Sequence, residues 1–222
     1  MKNSCVVRVL ACIVLPLSGA IAIAQSSAAT IGTRNEVGLV IGATQTPSVA
    51  LQSGGEVNHN SSLALGIEYD RKLLGRRTQL LTGVDFLASP FDVKTSFPAQ
   101  NISPQYAYLF LSPHVKVKFN GDGTWQPWLL FGGGYANFSP AEPRTGGVKV
   151  TGAGSTGTLE FGVGVDTRPL ITLKGLPLVG TLPIGARLEA KDFYSGQPKY
   201  GVSTENTFQN NIVFAGGLVL RF

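Results

Sequence analysis

The feature that most restricts this chain is a period-two alternation of apolar with small or polar residues. It recurs from residue 36 to residue 222, and no apolar run after Ala24 is long enough to span a bilayer as a helix. Successive side chains of a strand point to opposite faces, so each alternating stretch reads as a β-strand with one apolar face. Eight stretches qualify: residues 36–44, 61–70, 78–88, 106–119, 125–137, 158–168, 182–192 and 209–222. In the second, Leu63, Leu65, Ile67 and Tyr69 alternate with Ala64, Gly66 and Glu68. In the seventh, Ile184, Ala186, Leu188 and Ala190 alternate with Gly185, Arg187, Glu189 and Lys191. The run Gly132-Gly133-Gly134 leaves the facing of the fifth open.

The connections alternate in length. Those at 45–60, 89–105, 138–157 and 193–208 are long, and those at 71–77 and 120–124 are short. An up-and-down barrel whose two ends face different compartments produces this pattern. The connection at 169–181 is longer than the pattern asks and leaves the strand count open there.

Alternation alone does not separate a membrane barrel from a soluble one, whose apolar face turns inward. Here the second face is glycine and alanine interrupted by single charges: Glu68, Asp85, Lys116, Glu160, Asp166, Arg187 and Glu189. A solvated outer face would favour Lys, Thr, Ser and Gln. A narrow bore needs small residues, and charges inside it must neutralise one another. Since eight strands enclose a bore that side chains can fill, this set reads as an ion-pair plug; the other reading is a selective pore. The Leu, Val, Ile and Phe face then turns to lipid. Aromatics near strand ends are expected to form two interfacial girdles, with Tyr69, Phe119, Trp125 and Phe222 at the short-turn end. Phe86, Tyr106, Tyr108, Tyr135 and Phe138 are expected at the other.

The chain closes on Gly217-Leu218-Val219-Leu220-Arg221-Phe222. This ending resembles the β-signal of outer-membrane proteins, with Gly217, Leu220 and Phe222 on the pattern and Ala215 where a polar residue is usual. The stretches Pro127-Trp128-Leu129-Leu130-Phe131-Gly132-Gly133-Gly134-Tyr135, Phe161-Gly162-Val163-Gly164-Val165-Asp166 and Arg187-Leu188-Glu189-Ala190-Lys191-Asp192-Phe193 are similar to those of the OmpA-like and OmpX-like small barrels. The resemblance implies an all-β, eight-stranded antiparallel up-and-down transmembrane β-barrel in the outer membrane. It also implies contact with outer-membrane lipid and recognition of the last strand by the barrel-assembly machinery.

Residues 1–24 read as a signal peptide ahead of a barrel domain at 25–222. Lys2 and Arg8 precede an apolar run, and Ala22-Ile23-Ala24 gives the small-x-small site for cleavage before Gln25. Cys5 and Cys12 both fall in this leader, so no thiol chemistry is expected of the barrel. Without Lys2 and Arg8, 16 basic residues face 13 acidic ones, too small and scattered an excess for nucleic acid.

Catalysis has few candidates. The glycine runs lack the Lys-Ser/Thr of a phosphate loop, and no cofactor or metal is expected. His59-Asn60-Ser61 has the His-x-Ser spacing of outer-membrane deacylases, but Ser62 stands where those carry Asn. His114 faces the polar side near Lys116 and reads as part of a hydrogen-bond network in the bore. The long loops carry exposed-looking apolar residues, Val49, Leu51, Phe91, Phe97, Ile102 and Val148, whose extracellular ligand the sequence leaves unknown. The leading expectation is a structural or surface-interaction protein without catalysis. A minor pore for small solutes is second and an outer-membrane lipid hydrolase third.

Overall fold

The computed structural model describes residues 34–52, 54–96, 105–140, 144–145, 148–149, 154–176, 180–198, 200 and 203–222. The leader with its cleavage site, and Phe97 and Ile102 of the loops, lie outside the described residues, and of Phe91 and Val148 only the backbone is described.

Eight strands form the wall: β1 (Asn35–Gln45), β2 (Ser62–Leu74), β3 (Gln79–Ser96), β4 (Gln105–Lys118), β5 (Trp125–Pro140), β6 (Gly154–Thr167), β7 (Gly180–Gly196) and β8 (Ile212–Arg221). Each pairs antiparallel with its neighbour in sequence. The β1–β8 pairing, from Glu36↔Arg221 to Gln45↔Ile212, closes the barrel. Closure leaves no open edge in the wall, so every wall strand is hydrogen-bonded on both sides, as a hydrocarbon environment requires.

The alternation sorts the two faces as the sequence implies. Leu39, Ile41, Leu65, Leu111, Val115, Leu129, Phe131, Phe161, Val163, Leu188, Phe214 and Leu218 are exposed on the outside. Glu68, Asp85, Lys116, Glu160, Asp166 and Arg187 are at most 1% exposed. A soluble barrel would reverse this. The shortest strands, β8 with 10 residues and β1 with 11, match one bilayer crossing. Barrels of this build occupy the bacterial outer membrane, with short turns in the periplasm, and the apolar belt places this chain there.

Several boundaries differ from the sequence reading. β3 runs on to Ser96 and β7 to Gly196, so parts of the 89–105 and 193–208 connections are strand. The 169–181 connection is a hairpin: Ile171–Leu176 pairs with the start of β7, from Ile171↔Ile184 to Leu176↔Gly180. The length of that connection therefore adds no strand to the wall. The long-loop end is also built of short pairings. Val49–Ala50 pairs with Glu56–His59, which pairs in turn with the end of β3, and Phe208–Gln209 pairs with β7. Val49 and Leu51 are buried among these segments rather than exposed.

The largest correction concerns the aromatics. Tyr106, Tyr108 and Phe138 do not belong to a girdle; they point into the bore and are at most 2% exposed. The outward aromatics at that end are Tyr135, Tyr194 and Phe208, the last two stacked with centroids 5.4 Å apart. Period two itself puts Tyr106 and Tyr108 on the face of Ser112, His114 and Lys116 in β4; the girdle expectation rests on position along the strand and not on facing.

Candidate functional site

Among the described residues, chemistry-bearing side chains converge in the bore, which has two layers. The layer toward the short turns is ionic. Lys191 on β7 is its hub, with Nζ 2.7 Å from Glu68 Oε2, 2.6 Å from Asp85 Oδ2 and 3.2 Å from Glu189 Oε1. Glu160 lies 3.8 Å from the same ammonium. Lys116 bridges Glu68 and Asp70. Arg187 grips Asp166 with two parallel bonds, Nε–Oδ1 at 2.8 Å and Nη2–Oδ2 at 3.0 Å, and donates a third to Glu68. A forked guanidinium meeting a carboxylate edge-on is the strongest geometry such a pair has. Lys118 ties Asp166 to Glu36, and Arg221 reaches Glu36 across the closing seam at 3.1 Å. His114 Nε2 lies 2.7 Å from Asp70.

Trp128 sits within this layer. Its indole N–H donates to Asp166 at 3.1 Å, and the Lys116 ammonium lies 4.6 Å from its ring centroid. Gly164 makes room for it: a Cβ there would stand 2.4 Å from Trp128 Cζ2. Small residues facing the bore are thus cut to the large side chains they admit.

All seven charged residues expected in the bore lie in this network. Lys191, Lys118, Asp70, Glu36 and Arg221 complete it, although the sequence reading did not count them in the set. Lys191 was legible from its place on the polar face of the seventh strand. Glu36 and Arg221 are 185 residues apart and meet only because β1 and β8 close the barrel. Among the described residues seven buried carboxylates therefore face five buried lysines and arginines, plus His114. Glu160 and Glu189 are the two whose oxygens make no hydrogen bond, although both lie within 4.0 Å of a cation.

Glu68, Asp70 and His114 bring ligand atoms within 4.8 Å of one another, as a metal site would. Lys116 Nζ already joins the two carboxylates, so an ammonium fills the place a cation would take.

The layer toward the long loops is apolar. Phe110 and Phe193 stack with centroids 4.5 Å apart, and Phe138 stands edge-on to Tyr108 at 5.1 Å. Val40, Leu87 and Val213 pack into the same cluster. A polar cap covers it. Asn211 accepts from Thr46 at 3.1 Å and Gln209 at 3.0 Å, and it donates to Ser195 at 3.0 Å. The Tyr200 hydroxyl reaches Gln209 at 2.8 Å and His59 Nε2 at 2.7 Å. His59 Nδ1 faces the Pro47 carbonyl at 3.1 Å and must donate there. Burial pushes its imidazole down from the usual 6.5 to about 4. Both ring nitrogens are thus engaged by Pro47 and Tyr200, not by Ser61 or Ser62.

The residues of the C-terminal pattern lie on the seam. Gly217 is opposite Val40, and a Cβ on it would stand 1.9 Å from the Leu39 carbonyl. Leu220 pairs with Val37 and Ile184, and Phe222 exchanges backbone hydrogen bonds with Asn35 at 2.9 Å.

No protein-family model matches the sequence, and no curated protein is similar enough to count as a relative. Solved structures do share the architecture. Neisserial surface protein A is 11% identical, with 85% of this chain and 97% of that one covered at a TM-score of 0.51. The outer membrane protein OprG from Pseudomonas aeruginosa is 12% identical, with 86% and 96% covered at 0.54. At such identities the likeness is one of fold: this chain has the fold of the small outer-membrane β-barrels.

Proposed function

We propose that this protein is a non-catalytic, non-conducting barrel of the outer membrane whose role is structural or is exercised by its long extracellular loops. One observation carries the reading: the bore is filled in series by an ionic layer and an aromatic layer. A pore needs a continuous aqueous path, and an aromatic cluster at most 2% exposed, backed by salt bridges, offers none. Both ring nitrogens of His59 are taken up by the Pro47 carbonyl and the Tyr200 hydroxyl, which supports the non-catalytic part of the proposal, since a base must have a ring nitrogen within hydrogen-bond reach of its nucleophile. The closing strand, with Gly217, Leu220 and Phe222, is the segment we assign to the barrel-assembly machinery.

Planar-bilayer recording of the purified barrel tests the proposal. It predicts an unbroken baseline; steady, voltage-independent openings would make the protein a small-solute pore instead. Lipid A from cells with and without the protein is expected to give identical mass spectra. Loss of an acyl chain on expression would make it a hydrolase.

A further inference from the structure

The short-turn rim has a charge the bore does not explain. Arg34, Arg71, Arg76, Arg77, Arg168 and Lys174 are all exposed there. The long-loop segments carry Lys94, Arg144, Lys149 and Lys199 against Glu56, Asp92, Glu142 and Glu205, so the excess of basic residues belongs to the short-turn end. Among the described residues the one exposed acid at this end is Asp122, 3.4 Å from Arg76, while the exposed acids Glu56 and Glu205 lie at the other. Backbone bonds hold these turns together: Lys72 N–H donates to Arg34 at 2.7 Å, Gly121 to Arg77 at 2.8 Å and Arg168 to Thr124 at 2.9 Å.

The same rim exposes large aliphatic side chains. Leu73 and Leu74, 56% and 61% exposed, lie between Arg71 and Arg76. Leu170 and Ile171, 65% and 61% exposed, follow Arg168 and precede Lys174 on the projecting hairpin. The two groups stand on opposite sides of the wall, one between β2 and β3 and the other between β6 and β7. Aliphatics interleaved with cations around a circumference do not make a pocket for one ligand. They match a continuous surface that is apolar just above and anionic just below.

We propose that this rim binds anionic phospholipid headgroups of the periplasmic leaflet. Leu73, Leu74, Leu170 and Ile171 enter the headgroup–acyl boundary, and the neighbouring guanidinium groups take phosphate oxygens, a bidentate fit that arginine offers and an isolated ammonium does not.

Trp125, 60% exposed at the same level, reports the contact. The folded protein is reconstituted in vesicles of dibrominated phosphatidylcholine or dibrominated phosphatidylglycerol, and tryptophan quenching gives the relative affinity for each. The expected preference for phosphatidylglycerol is at least about threefold. It falls toward unity in 0.5 M salt and in the variant R71Q/R76Q/R77Q/R168Q/K174Q, with heat-modifiable gel migration checking that the barrel is folded. Should that variant not fold, the salt dependence of the unaltered protein and the double variant R76Q/R77Q decide. Equal quenching by the two lipids overturns the proposal, as does a preference that survives both salt and charge removal. Retention of soluble peptidoglycan fragments by the protein in neutral-lipid nanodiscs, without a lipid preference, assigns the rim to the cell wall and overturns it too.

Discussion

The two halves of the bore solve one packing problem with opposite chemistry. Toward the periplasm, Lys191, Arg187, Lys116 and Lys118 are buried with carboxylates; toward the loops, Phe110, Phe138, Phe193 and Tyr108 fill the same cross-section with rings. Rings pack by shape and lose only their own contacts when trimmed. Buried ions depend on named partners, so removing one strands the others in a medium that cannot solvate them. The ionic layer is thus the more demanding of the two, and it also fixes register: Arg187 on β7 must meet Asp166 on β6 and Glu68 on β2 together.

That comparison predicts an ordering of damage. Lys191→Met leaves four carboxylates without their shared ammonium and is expected to cost most, about 3–5 kcal/mol in urea unfolding of the vesicle-inserted barrel. Phe193→Ala empties one ring from the stack and is expected to cost about 3 kcal/mol by the same measurement. If the aromatic variant proves the worse, the ionic layer is less tightly coupled than its geometry implies. Glu160→Gln sharpens the point within one layer. It removes a carboxylate that makes no hydrogen bond from a set with more acids than lysines and arginines, so it is expected to cost under about 1 kcal/mol. Glu68→Gln, which loses bonds to Lys116, Arg187 and Lys191, should approach the Lys191 variant.

The smallest effect belongs to the cap. The folded His59 holds its proton less tightly than an open, solvated one, so its burial in the cap is fully supported above pH 6.5 and the folding of this segment loses stability as the pH falls toward 4. Corrected for the intrinsic pH dependence of amide exchange, protection in residues 56–59 should fall across that window, while protection in β7 stays flat. A fall in both would mean that the cap and the wall open as one unit.

How much of this was legible in the sequence follows from the same contrast. Where the wall divides apolar from charged, as at Leu65 and Glu68 or Leu188 and Glu189, alternation gave facing and register class directly. At Tyr106 to Phe110 both faces are apolar and hydropathy alone gives no direction, but the parity of Ser112, His114 and Lys116 on the same strand does and points the rings inward; nearness to the strand end suggests a girdle only when that parity is left out. Phe193 was assigned to a loop because β7 continues above the membrane, where the lipid-facing apolar signal fades. The Glu36–Arg221 pair depends on ring closure, which no local window contains. Gly164 and Gly217 were visible as small residues, but what they accommodate, Trp128 and the Leu39 carbonyl, is a property of the packed wall.

The central claim is that the bore is dry and filled, and Trp128 stands inside its ionic layer. The chain has two tryptophans, so Trp125→Phe leaves Trp128 as the single reporter. In vesicles its emission is expected to resist both aqueous iodide and brominated acyl chains, because water and lipid are equally excluded. Quenching by iodide would show a wet channel through the ionic layer, and quenching by brominated lipid would show that the inward face was assigned the wrong way round.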